Sequence, residues 1–388
     1  MSEFQASNFK KENGGTPDLL GKTELTSPYF FVPPSGTTKE RPANCAAGTL
    51  RFNTDIGTLE VYRGDKIGWE QIVKKESGYE GGGGGSNAGS GTRGIFGLGF
   101  VSPTGTNRID RVNVPTLGDT RDFGDLTNST KNFGCASSST RGLFIHGADG
   151  NGPSETNIID FITLTSTGAA SDFGDATTKR RQRAGVSNGT RAVFGGGYRE
   201  ASSPHLVDVM DYVTIAHAGN AADFGNLQTG KHGVSGCGSQ TRGIFAGGYD
   251  APVNLDVIDY VTIATIGNAA DFGNLTTGRR NTRACSSHTR GIFGGGNAGP
   301  AKVNTIDFIT IATTGDAIDF GDLITVQENG GACSSLLRGV FAGGNNPSYM
   351  NTIEFVTMET AGNAKDFGDL TVARQSNGGS SNGHGGLS

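Results

Sequence analysis

Short apolar stretches, separated by glycine at intervals of 8–12 residues, run from about residue 90 to the end of the chain. The run 304–313 is rich in β-branched and aromatic residues, which favour strands. Within it Ile306 and Phe308 fall on one face of a strand, and Ile309 and Ile311 fall on the other. Because both faces are apolar, the pattern predicts strands in sheets that are covered on both sides.

This stretch consists of six copies of one unit of about 49 residues. Each copy contains an arginine that opens an apolar run, at successive spacings of 48, 50, 51, 48 and 48 residues. These arginines are Arg93, Arg141, Arg191, Arg242, Arg290 and Arg338. Each unit has room for four strands, and a repeat of this length is typical of propellers and solenoids. Blades around an axis bury both faces of a sheet, so the sequence predicts an all-β fold with a six-bladed β-propeller over residues 92–388.

Composition and charge narrow the class of protein. Glycine makes up 65 of 388 residues, but there is no triplet repeat and only 12 prolines, which excludes collagen. The net charge of −5, with acids and bases interspersed, disfavours a nucleic-acid partner. Cys237, Cys285 and Cys333 share one repeat position without metal-ligand spacing, so we expect them to be small buried residues. The polar N-terminus predicts neither a signal peptide nor insertion into a membrane.

The order of residues within the unit resembles the kelch repeat of galactose-oxidase-type propellers. It runs R-x₂-R-A-C-S-S, then an apolar strand ending in Gly-Gly, then an apolar strand that carries an acidic residue. The resemblance covers about three quarters of the chain and implies a kelch-like propeller. The kelch Trp and Tyr are absent, and the Phe of Asp-Phe-Gly stands where the Trp is expected. No kelch-specific partner therefore follows from the resemblance.

The first 80 residues follow a different pattern. Residues 48–72 (GTLRFNTDIGTLEVYRGDKIGWEQI) predict three short strands. This segment resembles a module of virion structural and tail-fibre-like proteins of tailed phages, including marine T4-like cyanophages. We therefore divide this part of the chain into an extended arm (1–47), a small β-hairpin attachment module (48–80) and a Gly-rich linker (81–91) that leads into the propeller.

The phage resemblance implies a location and partners. The chain would be synthesised in the host cytoplasm and would sit on the virion exterior, at the tail or the capsid surface. Residues 1–80 would attach it to other virion proteins, and self-association is compatible with this arrangement. The propeller would bind a host-surface glycan or a partner virion protein. The alternative is a purely structural decoration of capsid, neck or baseplate that binds no receptor.

No residue pattern indicates catalysis. The tripeptide Asp-Phe-Gly occurs six times, whereas a kinase has one, together with a lysine strand and a catalytic loop that this sequence lacks. The Gly-Gly-Gly runs are not followed by Gly-Lys-Ser/Thr, so they do not match phosphate loops. The six histidines lack metal-ligand spacing. We therefore expect no enzyme activity, no cofactor and no metal site.

The two ends of each predicted blade differ in their loops. Loops after the second and fourth strands lie at one end and vary in sequence, whereas the turns at the opposite end barely change. We call these the variable end and the uniform end. Divergent loops on a rigid scaffold carry function, so we expect binding at the variable end, although ordinary solvated loops are the alternative. The candidate binding residues are Tyr198, Arg199, His205, Tyr249, Asp250, Tyr349, Arg180, Arg181, Arg183, Arg279, Arg280 and Arg283.

The recurring arginines and Asp-Phe-Gly motifs are expected to be structural. The aspartates are Asp122, Asp172, Asp223, Asp271, Asp319 and Asp366. Each Phe should fill the core of its blade. The arginine and aspartate positions both fall at the uniform end, so we expect the arginines to bind these carboxylates, or backbone carbonyls, and lock the blades together. The tail 378–386 should close the propeller by pairing with the strand at Arg93, with 85–91 as the competing segment.

Overall fold

The computed structural model describes residues 34–42, 45–55, 58–64, 68–71, 93–97, 99–101, 103–149 and 154–387. Contacts divide the chain into two units, Met1–Lys74 and Lys75–Ser388. The described residues form β-strands, turns and loops, with one short 3-10 helix at Thr38–Glu40. The all-β fold class predicted from the sequence is therefore confirmed.

The first unit contains a four-stranded sheet. Its strands are Ser35–Gly36, Leu50–Asn53, Thr58–Tyr62 and Trp69–Gln71. The first pairs in parallel with the second, and the other pairs are antiparallel. On one face the carboxylate of Glu60 is buried and accepts hydrogen bonds from Arg41 and Asn53. The described end of the predicted extended arm, residues 34–42, thus packs into this sheet, and residues 1–33 lie outside the described part of the chain.

The described residues of the second unit form six antiparallel sheets with four principal strands each, numbered 1 to 6 in the order of their recurring arginines, and one two-stranded hairpin. The second strands are Arg93–Gly97, Arg141–Ile145, Arg191–Gly195, Arg242–Ala246, Arg290–Gly294 and Arg338–Ala342. The inner strands, in the same sheet order, are Gly378–Ser381, Gly134–Ser137, Ala184–Ser187, Ser235–Gly238, Arg283–Ser286 and Gly331–Ser334.

The third and outer strands complete each sheet. The third strands are Thr104–Asn113, Ile158–Thr163, Val209–Thr214, Val257–Thr262, Thr305–Thr310 and Thr352–Thr357. The outer strands are Arg121–Lys131, Ser171–Asp175, Ala222–Asn226, Ala270–Asn274, Ile318–Asp322 and Lys365–Asp369. Four short strands follow some of the second strands, at Phe100–Val101, Ala148–Asp149, Tyr249–Asp250 and Val253–Asn254.

The six inner strands contact one another in cyclic order, from sheet 1 to sheet 6 and back to sheet 1. We call this arrangement the sheet ring and each boundary between neighbouring sheets a seam. Sheet 1 contains strands from the beginning and from the end of the second unit, because Gly378 pairs with Gly97 and Ser381 with Gly94. The C-terminal tail therefore occupies the position expected from the sequence, while the competing segment 85–91 lies outside the described residues.

The apolar core lies in the seams. One cluster, for example, joins Ile244 and Phe272 of sheet 4 to Phe293 and Ile309 of sheet 5. Five further clusters occupy the other seams in the same way. The second strands are buried on both faces, which explains why their sequences are almost continuously apolar.

The Asp-Phe-Gly motif forms a β-bulge in each outer strand. In sheet 5 Phe320 is the extra residue between Asp319 and Gly321, and it is 2% exposed. Gly321 has a φ of +143°, and a Cβ at this position would lie 2.7 Å from the carbonyl oxygen of Gly362 in sheet 6. The bulge directs the phenylalanine into the seam, as expected, and the glycine allows the next sheet to approach closely.

Candidate recognition surface at the variable end

The six recurring arginines lie at the uniform end and bridge neighbouring sheets. Arg141 donates from Nη1 to the carbonyl oxygens of Ile215 and Ala216 in sheet 3, at 3.0 and 2.8 Å. Arg290 donates in the same way to Met358 of sheet 6 at 3.2 Å. The other four reach the corresponding carbonyls. Backbone carbonyls of the next sheet, one of the two kinds of partner expected from the sequence, are therefore the acceptors.

The Asp-Phe-Gly carboxylates, expected to be the leading partners of these arginines, do not bind them. All six aspartates are exposed. Asp122 lies 3.3 Å from Arg108, and within the described part of the chain the other five form no ion pair. The bulge explains the error, because it turns the phenylalanine inward and leaves the preceding carboxylate on the outer surface.

Five of the recurring arginines also lie on an aromatic ring of their own third strand. The guanidinium carbon of Arg290 is 4.9 Å from the ring centre of Phe308, which packs edge-on against Phe320 at 5.8 Å. Sheet 1 differs because Arg111 occupies the position of Phe308. Burial, with a smaller contribution from Arg111, lowers the pKa of Arg93.

Four of the predicted binding residues, Arg180, Arg183, Arg279 and Arg283, are buried, so their placement on an exposed patch is wrong. Arg180 and Arg279 lie 2.8 and 2.9 Å from buried carboxylates of the next sheet. Arg183 donates to the carbonyl oxygen of His146 at 2.7 Å. In an extended loop, successive side chains point to opposite sides, so residues close in sequence reach different environments.

The buried acids that these cations meet were not recognised in the sequence. They lie on the third strands, between apolar neighbours, and are Asp110, Asp160, Asp211, Asp259, Asp307 and Glu354. Five of them, all but Asp259, accept hydrogen bonds from the preceding sheet, either from its outer strand or from the loop that follows that strand. Asp307, for example, is bonded by the backbone nitrogen and Oγ1 of Thr276 at 3.1 and 2.7 Å. One acidic position inside an apolar strand of every unit was the available signal.

The partner of the buried acid varies from seam to seam. In four seams a basic side chain from the loop after the preceding sheet lies 2.8–3.0 Å from the carboxylate, and these residues are Arg374, Arg180, Lys231 and Arg279. Asp160 instead lies 3.0 Å from His146 of its own sheet. In the seam between sheets 5 and 6 the amide of Gln327 donates to Glu354 at 3.1 Å. Burial raises the pKa of Glu354, and the charge of nearby Arg283 opposes that shift. These buried pairs lie inside the seams and belong to the scaffold.

A cluster of six residues at the variable end spans sheets 3 and 4. We call it the aromatic belt, and it consists of Arg181, Tyr198, His205, His232, Tyr249 and Arg280. The ring centres of Tyr198 and His232 are 5.6 Å apart, and those of His232 and Tyr249 are 5.5 Å apart. His205 stacks on Tyr198 at 5.6 Å. The guanidinium groups of Arg181 and Arg280 lie at the two ends, 4.9 and 4.4 Å from the ring centres of Tyr198 and Tyr249.

Backbone pairing places these side chains. Isolated β-bridges join Arg181 to Tyr198 and His232 to Tyr249, so each loop after an outer strand is held beside a loop after a second strand. His232 was not among the predicted binding residues. It occupies the same repeat position as Arg181 and Arg280, one residue after a buried cation, and this register was the signal that could have identified it.

The centre of the belt is an electropositive, partly buried environment. Burial, and then the charges of Arg280 and Arg181, lower the pKa of His232 to about 4. The imidazole is therefore neutral at physiological pH, and its buried Nδ1 has no hydrogen-bond partner among the described residues. Arg181 is paired with the exposed carboxylate of Glu200 at 2.5 Å.

The remaining predicted binding residues are spread around the belt and beyond it. Arg199 is half-buried and donates to the carbonyl oxygen of Pro204 at 3.3 Å. Asp250 is half-buried in the hairpin that follows Tyr249. Tyr349 lies away from the belt and packs edge-on against Phe100 at 5.9 Å. The structure thus joins some of the predicted residues into one surface and separates others from it.

Other candidate sites are weaker. A cavity of about 60 Å³ lies among the inner strands and is bordered by His384 of the C-terminal tail. A cleft of about 260 Å³ lies between the long third strand of sheet 1 and the loop at Val372, and includes Thr104, Thr106 and Arg108. Across the residues that the structure describes, no group of three or more His, Cys, Asp or Glu side chains is arranged to hold a metal ion.

Comparison with known proteins identifies a fold likeness alone. No protein-family model matches this chain, and no curated protein matches it. A solved structure titled "Structure of YjhT" is similar, with a TM-score of 0.53 and 11% sequence identity, over 64% of this chain and 86% of that chain. At this identity the likeness concerns the fold. Within the described residues, no helix has the length and apolar character needed to cross a membrane.

Proposed function

We propose that the second unit is a six-bladed, kelch-like β-propeller that acts as a non-enzymatic recognition module. The observation that carries this proposal is the aromatic belt. It is built from the loops that differ most between units, on a scaffold whose strands, seams and uniform end repeat. Variable loops displayed by a rigid framework are the usual location of binding residues.

The propeller interpretation is supported by the cyclic contacts of the six inner strands and by the pairing of the C-terminal strand with the strand at Arg93. Apolar clusters and buried acid pairs recur in successive seams, as expected for blades packed face to face around an axis. The likeness to a solved structure at a TM-score of 0.53 agrees with a shared fold.

We also propose that the chain is a virion component. This rests on the resemblance of residues 48–72 to a module of tailed-phage structural proteins. Residues 1–80 would attach the chain to other virion proteins, and the second unit would lie on the exterior of the tail or the capsid.

A host-surface glycan is the ligand that best suits the aromatic belt. Aromatic rings offer an apolar surface for the C–H faces of a sugar, and guanidinium groups donate several hydrogen bonds in a fixed geometry. Tyr198, Tyr249 and Arg280 are all partly exposed and can supply both kinds of contact. Binding sites of this kind combine an apolar surface with a few placed polar groups.

A second candidate function is structural decoration of the particle without receptor binding. The observation that favours it is that the belt residues contact one another, so part of their surface is already used within the chain. Tyr198 touches Arg181, His205 and His232. A cluster of this kind also stabilises a loop surface that docks against another virion protein.

Two measurements test the proposal. The full chain is applied to an array of bacterial surface glycans, and Tyr249→Ala is expected to weaken any binding, whereas Leu117→Ala, at an exposed residue of the uniform end, leaves it unchanged. Gold-labelled antibodies against the chain then locate it on intact particles by electron microscopy. A tail-tip or fibre position with glycan binding supports the adhesin, while an icosahedral position without binding supports decoration.

A further inference from the structure

The belt carries an unequal distribution of charge that defines its ligand further. We propose that the aromatic belt binds an acidic oligosaccharide, with Arg280 as the main anchor for a carboxylate or sulfate group. This inference rests on the proposed recognition function and adds the charge and minimum length of the ligand.

Arg280 differs from most other cations on the variable end because no acid neutralises it. Its guanidinium lies on the ring of Tyr249 at 4.4 Å, and among the described residues its side chain has no hydrogen bond and no ion pair. By contrast Arg279, its neighbour in sequence, is paired with Asp307 at 2.9 Å. Lys302 is paired with Glu328 at 3.4 Å. Arg280 is therefore a pre-oriented donor with free N–H groups, which favours a planar or tetrahedral oxyanion.

The histidine beside Arg280 supports a positive potential at the centre of the belt. Burial, and then the charges of Arg280 and Arg181, lower the pKa of His232 to about 4. A nearby acid would have had the opposite effect on this imidazole. At neutral pH the belt thus presents the unpaired Arg280 and the Glu200-paired Arg181 on either side of an uncharged aromatic centre.

Arg181, at the other end of the belt, can bind a second anionic group once its ion pair with Glu200 is broken. Arg181 is partly exposed and is held by Glu200, whose side chain is itself 53% exposed. An exposed pair of this kind contributes little to stability, so an incoming anion can replace the glutamate at small cost. The first anchor is thus free, and the second becomes available when Glu200 moves aside.

The geometry favours an oligosaccharide over a single acidic sugar. Arg181 and Arg280 are separated by the rings of Tyr198, His232 and Tyr249, whose centres are 5.5–5.6 Å apart. A ligand that reaches both arginines must cross three aromatic side chains. Sugar units have apolar faces that can lie on these rings.

The inference is tested by isothermal titration calorimetry of the full chain with three hexasaccharides. Hexagalacturonate carries carboxylates alone, a heparin-derived hexamer carries sulfates as well as carboxylates, and maltohexaose is neutral. We expect binding of one or both acidic probes, weaker binding at higher salt, and no measurable binding of maltohexaose. Binding of hexagalacturonate would show that carboxylates suffice, whereas binding of the heparin-derived hexamer alone would point to sulfate.

Arg280→Gln and its control Arg121→Gln each remove one positive charge, and Arg280→Lys keeps it. Arg280→Gln is expected to weaken binding of the acidic probe about tenfold or more, as for loss of a charge-assisted hydrogen bond. Arg280→Lys should retain part of the affinity, because it keeps the charge but not the planar donor geometry. Arg121→Gln, at an exposed arginine of an outer strand, should leave binding unchanged.

Three results would overturn the inference. Equal binding of maltohexaose would leave glycan recognition in place and remove the requirement for negative charge. Unchanged affinity of Arg280→Gln would exclude Arg280 as the anchor. Failure of all three probes to bind would reject an acidic oligosaccharide, whereas the recognition function is decided separately by the glycan array and the position on the particle.

Discussion

The two ends of the sheet ring use arginine for opposite purposes. At the uniform end Arg290 lies on Phe308 and donates across the seam to Met358, and the same arrangement recurs in four other sheets. At the variable end Arg280 also lies on an aromatic ring, but within the described residues no acceptor in the chain satisfies it. A repeated, satisfied arginine is a structural link, whereas an arginine with open donors on a variable loop is a binding group.

Two adjacent arginines, Arg279 and Arg280, show the same contrast between a structural and a binding role. Arg279 is fully buried and paired with Asp307, and Arg280 is partly exposed on the belt. The two residues share type and local sequence, so their different roles come from the direction of each side chain relative to the seam. Backbone pairing of Arg280 with Asn297 fixes that direction.

The largest effect is expected from opening the sheet ring. Deletion of residues 378–388 removes the inner strand of sheet 1, so the strand at Arg93 loses its partner and two seams lose an edge. The melting temperature should fall by roughly 10 °C or more, as for a loss of several kcal/mol. Deletion of 382–388 keeps the strand and is the control. Equal melting of the longer deletion and the full chain would show that this strand does not close the ring.

Truncation of a phenylalanine at a β-bulge should destabilise the fold nearly as much as opening the sheet ring. Phe320→Ala empties a seam position that is 2% exposed, and should cost about 3–5 kcal/mol of unfolding free energy in urea titration. Ile318→Ala, two residues earlier and 62% exposed, should change stability by less than about 0.5 kcal/mol. Similar effects at both positions would contradict the inward placement of the phenylalanine.

The neighbouring arginines provide a direct test of the comparison. Arg279→Ala leaves the carboxylate of Asp307 buried without its cation and should destabilise the fold by about 3–5 kcal/mol. Arg280→Ala should change stability by less than about 0.5 kcal/mol, because its guanidinium is at the surface. The double variant Arg279→Met, Asp307→Leu should recover most of the loss. Equal effects of the two single alanine variants in urea titration would remove the distinction between scaffold and belt.

A smaller effect is expected at the uniform end. Arg290→Ala loses one hydrogen bond across the seam, the half-exposed ion pair with Glu359 at 3.7 Å and the contact with Phe308, for about 1–2 kcal/mol. Arg93→Ala loses a carbonyl bond without an aromatic contact, because Arg111 stands at the Phe308 position, and should cost less. A larger loss at Arg93 than at Arg290, measured by chemical unfolding, would show that the aromatic contact is unimportant.

The smallest effect concerns the tail that borders the inner cavity. Burial lowers the pKa of His384 to about 4, and its hydrogen bond to the carbonyl oxygen of Ser137 opposes this. Since an unfolded histidine titrates near 6.5, the neutral imidazole contributes stability above about pH 6.5 that is lost as pH falls towards 4.

The expected contribution of His384 is about 1 kcal/mol or less, because the side chain is only partly shielded. The protection factors of the tail amides, which correct for the slower intrinsic exchange at low pH, should fall as the pH drops from 6.5 to 4 in the natural chain, and less so in His384→Gln. His232, whose pKa is also about 4, responds in the same direction elsewhere and serves as an internal control. An identical pH response of the tail in both proteins would exclude this role.

Much of the scaffold could be predicted because it repeats. The period of about 49 residues, the apolar second strands and the Phe of each Asp-Phe-Gly motif appear in every unit and have one environment each. The carboxylate of Asp319 was misplaced because a bulge, which sequence periodicity does not reveal, reverses the expected side-chain direction. Arg180 was misplaced because a charge in a loop suggests a surface position, whereas the buried acid Asp211 makes the interior favourable.

The sequence by itself determined the strand pattern, the repeat and the difference between variable and uniform loops, since these depend on local preference and on the spacing of apolar residues. The tertiary structure alone decided which cations enter the seams and which form the aromatic belt. His232 and Tyr249 are distant from Arg181 in the chain and meet because neighbouring sheets pack side by side. Such contacts depend on seam geometry and on the partner across it, and neither is encoded in the local sequence of a single unit.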